Sequence, residues 1–187
     1  MSHLPNFSET KTTEAAVLLL KMAGGRMKYI RLLKLLYLSD RKAFTELGRS
    51  ITNDHYCSMK YGQVSSNAYD LVKGTAKQTE NVWSRFISLP INKHYISLTK
   101  NPSKINALSE SEIDIICSVA MEQIDTDDFD LADITKGPEY VNVSDNRKAI
   151  HTPVERILDA LDYTTSQIEI IKESLAEEAE IRTFFGG

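Results

Sequence analysis

Residues 28–47 carry the pattern that most constrains how this chain can fold. Seven of the nine side chains from position 30 to position 38 are apolar, so they cover most of the circumference of a helix. A helix at a protein surface needs only one apolar stripe, whereas a helix that is apolar nearly all round has to be enclosed by other elements. The segment therefore predicts a central buried helix, and Gly48 ends it because glycine adopts the left-handed C-terminal conformation without strain.

Apolar periodicity and helix-end signals predict four further helices and one short acidic helix. Apolar residues from Thr13 recur with helical spacing until Gly24 and Gly25 end the segment. Ser109 to Glu112 has the sequence of a capping box, and so does Thr152 to Glu155, where Pro153 takes the first helical position. The predicted helices are residues 13–23, 28–47, 65–73, 109–125 and 153–182, with a short acidic helix at 128–134.

Two segments alternate between apolar and polar side chains, which is the period of a β-strand. They lie at residues 55–60 and 94–98, and we expect them to pair antiparallel. The predicted fold class is mainly α (α+β), a single compact helical domain with a small antiparallel β element. Its predicted parts are a flexible N-terminus at 1–12, a main domain at 13–160, and a long acidic C-terminal helix at 153–187 that packs on this domain or extends from it.

Composition favours one ordinary globular domain. The chain has 187 residues, of which 42% are hydrophobic and 26% charged, and no window of 18 apolar residues is present to span a membrane. The first residues lack the basic start and apolar run of a secretory signal. Cys57 and Cys117 are interpreted as small buried hydrophobes in a reducing compartment, so we expect a cytoplasmic protein.

The net charge of −4 hides an asymmetry between the two halves of the chain. Residues 1–100 contain 15 Lys and Arg against 7 Asp and Glu, a balance of +8, whereas residues 101–187 contain 7 against 19, a balance of −12. The two halves either attract partners of opposite charge or neutralise each other within one compact domain. Mutual neutralisation is the favoured interpretation.

Chemical motifs do not indicate an enzyme. The histidines at positions 3, 55, 94 and 151 have no metal-type partner four residues on, and Cys57 beside His55 supplies only two ligands on one strand face. The acidic run from Asp125 to Asp130 lacks the glycine and the final glutamate of a calcium loop. Phosphate-binding, dinucleotide-binding and nucleophile-elbow motifs are also absent from the sequence. The sequence therefore predicts no catalysis, no metal and no cofactor.

DNA binding is an alternative, because two helices joined by Gly24 and Gly25 have the outline of a helix-turn-helix. Lys28, Arg31 and Lys34 stand three residues apart at the start of the second helix. A recognition helix needs a wide polar face, however, and this helix is apolar almost all round. We therefore expect these cations to pair with the acidic half, and nucleic acid ranks second to a protein partner.

The last predicted helix is the best candidate for an interaction surface. Its apolar residues follow spacings of four and three, which is a coiled-coil-like seam, and five glutamates make its later part acidic. The alternative is that the seam packs on the domain core, which is favoured for its first half. The predicted partner-binding residues are Ile168, Ile171, Leu175, Phe184 and Phe185.

Residues 32–74, which begin LLKLLYLSDR, resemble the Panacea domain of SocA-like antitoxins, and the resemblance extends over residues 15–160. Its motifs lie at residues 34–41, 48–52, 59–62 and 131–135. Family members usually have proline after the Tyr-Gly pair, where this chain has Gln63, a change that we expect to alter only the stiffness of the turn. The motif residues are interpreted as structural, with Asp40 and Arg41 as an ion pair that holds the helix to the loop; the set is Asp40, Arg41, Gly48, Arg49, Met59, Lys60, Tyr61 and Gly62.

The resemblance implies a bacterial or prophage antitoxin that neutralises a cognate protein toxin by direct binding. It implies no catalytic residues, and it does not identify the toxin, because the domain accompanies toxins of unrelated folds. One alternative is a proteolytic adaptor that delivers the toxin to a cytoplasmic AAA+ protease. Another, of a different class, is a DNA-binding transcriptional regulator.

Overall fold

The computed structural model describes residues 7–77, 81–102, 104–144 and 148–185, except for the side chains at 182, 183 and 185. These residues form eight helices and five short strands, and the predicted class, mainly α with a small β element, is confirmed. The elements, in chain order, are α1 (Glu9–Met22), β1 (Arg26–Lys28), α2 (Tyr29–Leu47), β2 (Tyr56–Met59), β3 (Gly62–Ser65), α3 (Ser66–Lys73), α4 (Trp83–Phe86), β4 (Tyr95–Ser97), α5 (Glu110–Gln123), α6 (Asp128–Ile134), β5 (Ile150–Thr152), α7 (Val154–Ala160) and α8 (Thr165–Phe185).

Helix α2 is the centre of the fold, as the sequence predicts. Leu32, Leu33, Leu35 and Leu36 have no exposed surface, because α1, α5 and β3 pack around the helix. The helix ends at Gly48, which has a φ of 68° and whose amide donates to the carbonyl of Phe44. A helix that is apolar nearly all round can be covered on every side only if it lies in the middle of the domain.

The two predicted strands exist, but the prediction that they pair with each other is wrong. Strand β4 pairs antiparallel with β1, and β2 lies between β3 and β5 in a separate three-stranded antiparallel sheet. Strands β1, β3 and β5 have three or four residues each and lie directly before α2, α3 and α7, so the helix start signals in the sequence concealed them. Gly62, with a φ of 102°, begins β3 directly after the turn.

The single long C-terminal helix predicted at 153–182 is wrong, since α7 and α8 are separate. Asp162 adopts a positive φ of 62° in the four-residue break between them. Thr164 begins the new helix: its hydroxyl accepts from the amide of Gln167, whose side-chain oxygen accepts from the amide of Thr164. This reciprocal pair is a capping box, a helix start signal inside the stretch that we interpreted as continuous.

The capping box predicted at Thr152 to Glu155 does not form. Pro153 is the N-cap of α7, and no side chain caps that helix. Thr152 belongs to β5 instead, where its hydroxyl contacts Ser58 and Gln63. The box at Ser109 and Glu112 is confirmed, with both of its hydrogen bonds present.

Two smaller expectations also change. Helix α1 begins at Glu9 rather than Thr13, so residues 9–12, expected within the flexible N-terminus, form its first turn and Thr12 is fully buried. Residues 1–6 lie outside the described part. Cys57 and Cys117 are free thiols, but both are half-buried rather than buried.

A second hydrophobic cluster joins α7 and α8 to the far side of α2. Its buried members are Tyr37, Phe44, Tyr56, Val154, Ile157 and Leu158, and the three aromatic rings meet edge to face. Tyr163 adds a hydrogen bond from its hydroxyl to the carbonyl of Phe44 at 2.5 Å. This cluster therefore determines where the C-terminal helices lie.

Leu33→Ala tests the central position of α2. The side chain is fully buried among the main cluster, so its truncation should lower the free energy of unfolding by about 2–5 kcal/mol. Urea unfolding followed by circular dichroism measures the change, with Leu89→Ala, which removes a side chain that is 63% exposed, as the control. A loss for Leu33→Ala no larger than for the control would contradict a central α2.

Candidate partner-binding surface and the framework beneath it

Asp40 is a fully buried carboxylate that holds the loop after α2. Its oxygens accept from the backbone amides of Ile51 and Thr52 at 2.8 and 3.0 Å, from the Thr52 hydroxyl, and from the Tyr56 hydroxyl at 3.0 Å. Burial raises the pKa of this carboxyl above its ordinary value, while the donors act in the opposite direction. The carboxylate thus ties the central helix to the loop and to β2.

Arg41 does not pair with Asp40, so the proposed ion pair between the two motif residues is wrong. The guanidinium Nε donates to Glu139 Oε1 at 2.8 Å, and the Tyr37 hydroxyl donates to the same oxygen. Burial alone would raise the pKa of the Glu139 carboxyl, but the bonds from Arg41 and Tyr37 outweigh it and leave the pKa below its ordinary value. Arg41 therefore holds the segment after α6 to α2, whereas Asp40 holds the loop.

The ammonium group of Lys34 is buried beside the turn between β2 and β3. Its Nζ donates to the carbonyl of Tyr61 and to the Thr135 hydroxyl, and only 3% of the residue is exposed. Burial lowers the pKa of Lys34 from 10.5 to about 8. A Cβ at Gly62 would come within 3.0 Å of Thr135 Oγ1, Ala132 O and Lys34 Nζ, so only glycine fits at this approach. Three separate family motifs meet at this point.

Gln63, the departure from the family pattern, does more than change the stiffness of the turn. Its backbone amide donates to the carbonyl of Thr135 at 3.2 Å, a bond that proline cannot make. Its fully buried side chain bonds the hydroxyls of Ser58 and Thr152, which lie on β2 and β5. The side chain therefore joins all three strands of the second sheet.

The remaining motif residues occupy the loop after α2 and the β2–β3 turn. Arg49 Nη1 donates to Glu112 Oε1 at 2.6 Å, and the same carboxylate accepts from Lys11. Met59 is half-buried, whereas Lys60 and Tyr61 are exposed, with Tyr61 at 59%. The motifs thus combine a buried polar framework with an exposed turn tip.

The predicted partner-binding residues of α8 separate into two groups. Ile168 and Ile171 are half-buried against the second cluster, and Leu175 is 5% exposed. Phe184 is 83% exposed, and the side chain of Phe185 lies outside the described part. The seam residues face the domain, whereas Phe184 faces solvent.

A second apolar row, which the sequence analysis missed, runs along the outer side of α8. Ile170 and Ile181 are 64% and 58% exposed, and Phe184 follows Ile181 by three positions, so the last two share a face. The glutamates at 169, 173, 177 and 180 are exposed around this row. We call this surface, formed by the apolar row and its glutamates, the outer α8 face.

An open groove adjoins the outer α8 face. It encloses about 310 Å³ between α8, the start of α1 and the loop after α2. Its walls are Lys11, Arg49, Ser50, Asn53, Glu178 and Ile181. The motif loop and the C-terminal helix therefore contribute to one continuous surface.

The three cations at and near the start of α2, on which the DNA-binding alternative rested, are paired or buried. Lys28 Nζ lies 2.5 Å from Asp128 Oδ2. Arg31 pairs with Asp128 and donates to three carbonyls at the end of α5 and just after it. Lys34 is buried, as described above. The expected pairing of these cations with the acidic half of the chain is confirmed for Lys28 and Arg31.

Among the described residues, no three His, Cys, Asp or Glu side chains are arranged to hold a metal ion. The rings of His55 and His151 meet edge to face, with centroids 6.1 Å apart. No helix in the described ranges is long and apolar enough to cross a membrane.

The fold and its framework define a mainly α domain whose buried charges tie loops and short strands to one central helix. The family model described as antitoxin SocA-like, Panacea domain, matches residues 32–140, more than half of the chain. The chain therefore belongs to this family, which supports an antitoxin role in general. No curated protein and no solved structure matches it. Helix α8 lies outside the matched residues.

The pH dependence of stability should reveal the buried ammonium of Lys34. The native protein releases this proton at a pH of about 8, whereas the unfolded chain holds it up to 10.5, so the unfolded state binds more protons between these values. The free energy of unfolding should therefore rise from pH 8 to pH 9.5 by about 1–2 kcal/mol relative to Lys34→Met. Urea unfolding at several pH values measures this difference, and Lys42→Met, a change at a partly exposed lysine, should behave as the unmodified chain does.

Asp40→Ala tests the loop clamp. The change leaves four donors buried without an acceptor, so we expect a loss of about 3–5 kcal/mol in the free energy of unfolding. Asp40→Asn keeps one acceptor oxygen, and both hydroxyls can turn to accept, so its loss should be smaller. Thermal melts rank the stabilities of the two variants against that of Asp70→Ala, a control at an exposed position. Equal melting temperatures for all three would contradict the clamp.

Proposed function

We propose that this protein is an antitoxin that neutralises a cognate protein toxin by direct binding in the cytoplasm. Membership of the antitoxin family supports the general role. The observation that carries the specific proposal is the outer α8 face, which exposes large apolar side chains within an acidic border. Such a face suits a partner with an apolar pocket surrounded by basic residues.

The location of the outer α8 face supports this proposal. The family match ends at residue 140. The resemblance implies that the domain accompanies toxins of unrelated folds. A surface that has to fit different toxins is expected outside the shared part of the family, and α8 begins at Thr165. The adjoining groove brings Arg49 and Asn53 of the shared loop to the edge of the same surface.

The two groups of α8 residues take different roles in the proposal. Ile168, Ile171 and Leu175 hold the helix against the second cluster, and Lys172 reinforces it through Glu155 at 2.9 Å. Phe184 and Phe185, with Ile181, supply the contact. Aromatic side chains that enter a partner pocket are the common anchors of protein interfaces.

The test uses co-expression with the toxin encoded beside this gene. Ile181→Ala with Phe184→Ala should weaken growth rescue and lower toxin affinity about thirtyfold or more, which corresponds to about 2 kcal/mol. Leu89→Ala with Ile91→Ala removes apolar side chains that are 63% and 49% exposed on another part of the surface and is the matched control. Deletion of residues 176–187, which leaves Leu175 in place, should have the same effect without unfolding the domain.

The possible outcomes separate the mechanisms. If the truncated protein folds and still neutralises fully, the contact lies elsewhere, and the loop from Gly48 to Tyr61 is the next candidate. If rescue is lost in a strain that lacks its AAA+ proteases, the proteolytic adaptor replaces the direct inhibitor. Retained rescue in that strain, with the toxin and this protein purified as a complex, supports direct inhibition.

A further inference from the structure

The sheet of β1 and β4 joins two stretches of the chain that contain no acidic residue. Residues 15–39 carry five Lys and Arg without an Asp or Glu, and residues 81–109 carry four without an Asp or Glu. Arg26 pairs with Ser97 and Lys28 with Tyr95 across the two strands. The sheet itself carries Arg26 and Lys28, and it joins two distant segments whose only charged side chains are basic.

The pairing register determines which side of this sheet is basic. Met27 and Ile96 are opposite each other and buried, so Arg26 and Tyr95, one position away from each, lie on the outer side. Arg26 lies 4.5 Å above the Tyr95 ring, a cation–π contact that leaves its charge exposed. The core side of the sheet is apolar, and its outer side presents a cation on an aromatic ring.

Further cations border this outer side. The segment before β4 returns beside it through the bridge between Ile87 and Leu98, and the Thr99 hydroxyl donates to the carbonyl of Arg85. This arrangement brings exposed Arg85 and Lys100 to the edge of the sheet. Within the described residues, no carboxylate forms an ion pair with Arg26, Arg85, Lys93 or Lys100. The carboxylates of Glu9 and Glu14 on α1 accept from backbone amides, and Asp128 pairs with Lys28, the β1 residue opposite Tyr95.

Lys93 occupies a strained position at the tip of the turn before β4. The amide of His94 donates to the carbonyl of Ile91, and Asn92 and Lys93 between them have φ values of 51° and 64°. Two positive φ values define a type I′ turn, whose second central position favours glycine. A lysine there destabilises the turn but places an exposed ammonium at its tip. Strain of this kind is typical of functional positions.

We propose that this surface, formed by Arg26, Arg85, Lys93, Tyr95 and Lys100, binds the phosphodiester backbone of a nucleic acid. Phosphate contacts depend on several unpaired cations with little need for a deep pocket. Lys28, which lies on β1 opposite Tyr95, and Arg31 on α2 are both paired with Asp128, so neither is counted among the unpaired cations of this surface. The surface is separate from the outer α8 face, which is acidic.

The experiment measures binding of the full chain to two fluorescein-labelled probes, a mixed-sequence DNA duplex and a single-stranded RNA of equal length. Four phosphate contacts predict that the affinity falls about a hundredfold between about 50 mM and about 200 mM NaCl. The probe that binds more tightly identifies the type of nucleic acid. Fluorescence anisotropy gives both the affinity and its salt dependence.

Lys93→Gly is the variant least able to fail by unfolding, because glycine relieves the strain of the turn. This variant should melt at the same temperature or higher. The magnitude of its slope of log affinity against log salt should nevertheless be smaller by about one. A triple variant that also contains Arg85→Gln and Lys100→Gln should have a slope whose magnitude is smaller by about three in total. Gln substitutions at Lys42, Lys136 and Lys172 give the same net charge from three other elements and form the control.

Two results would overturn the proposal. One is the absence of binding to either probe at about 50 mM NaCl, where even non-specific binding through a few phosphates is detectable. The other is an equal loss of affinity in the control triple variant, since net charge alone would then account for binding. If the natural partner of this surface is an acidic protein, neither nucleic-acid probe should bind.

Discussion

A single buried carboxylate, that of Asp40, connects the central helix α2 to the irregular loop that follows it. The loop after α2 has no helix or strand to satisfy its amides, and the carboxylate supplies an acceptor for two of them. The Tyr56 hydroxyl on the same carboxylate links β2 to this point and positions the aromatic cluster on which α7 and α8 pack. The position of the C-terminal helices therefore depends, through Tyr56, on a charge within the central helix.

The same device recurs elsewhere in the domain. Asp54 accepts from the amides of Asn67 and Ala68 at the start of α3, and Glu9 and Glu14 accept from amides of two later segments. Burial raises the pKa of Asp54 to about 7, which measures how much desolvation opposes this arrangement. Strands of three or four residues and a helix of one turn contribute few internal bonds. Carboxylates from the longer helices and from the loop after α2 compensate by holding them in place.

The sequence predicts local features well and distant pairings poorly. Helix α2 and the capping box at Ser109 follow from patterns within a few turns, and both are confirmed. The strand pairing was wrong because β1 and β5 lie directly before helices and were not recognised as strands, so β4 and β2 were matched with each other. The break before α8 was encoded by Thr164 and Gln167, but the apolar seam on both sides concealed it. The partners of the motif residues are unpredictable from spacing, since Arg41 reaches Glu139 98 positions away.

The break between α7 and α8 has a consequence for the lifetime of the protein. Because α8 has its own capping box, it can detach and fray without disturbing the helix before it. The buried and half-buried residues Ile168, Ile171 and Leu175 all lie in the first half of the helix, so the second half should open at a lower local free energy than the first. Amide hydrogens there should exchange with solvent before those of the core. A cellular protease that recognises opened segments would begin at this end, and a bound toxin would protect it.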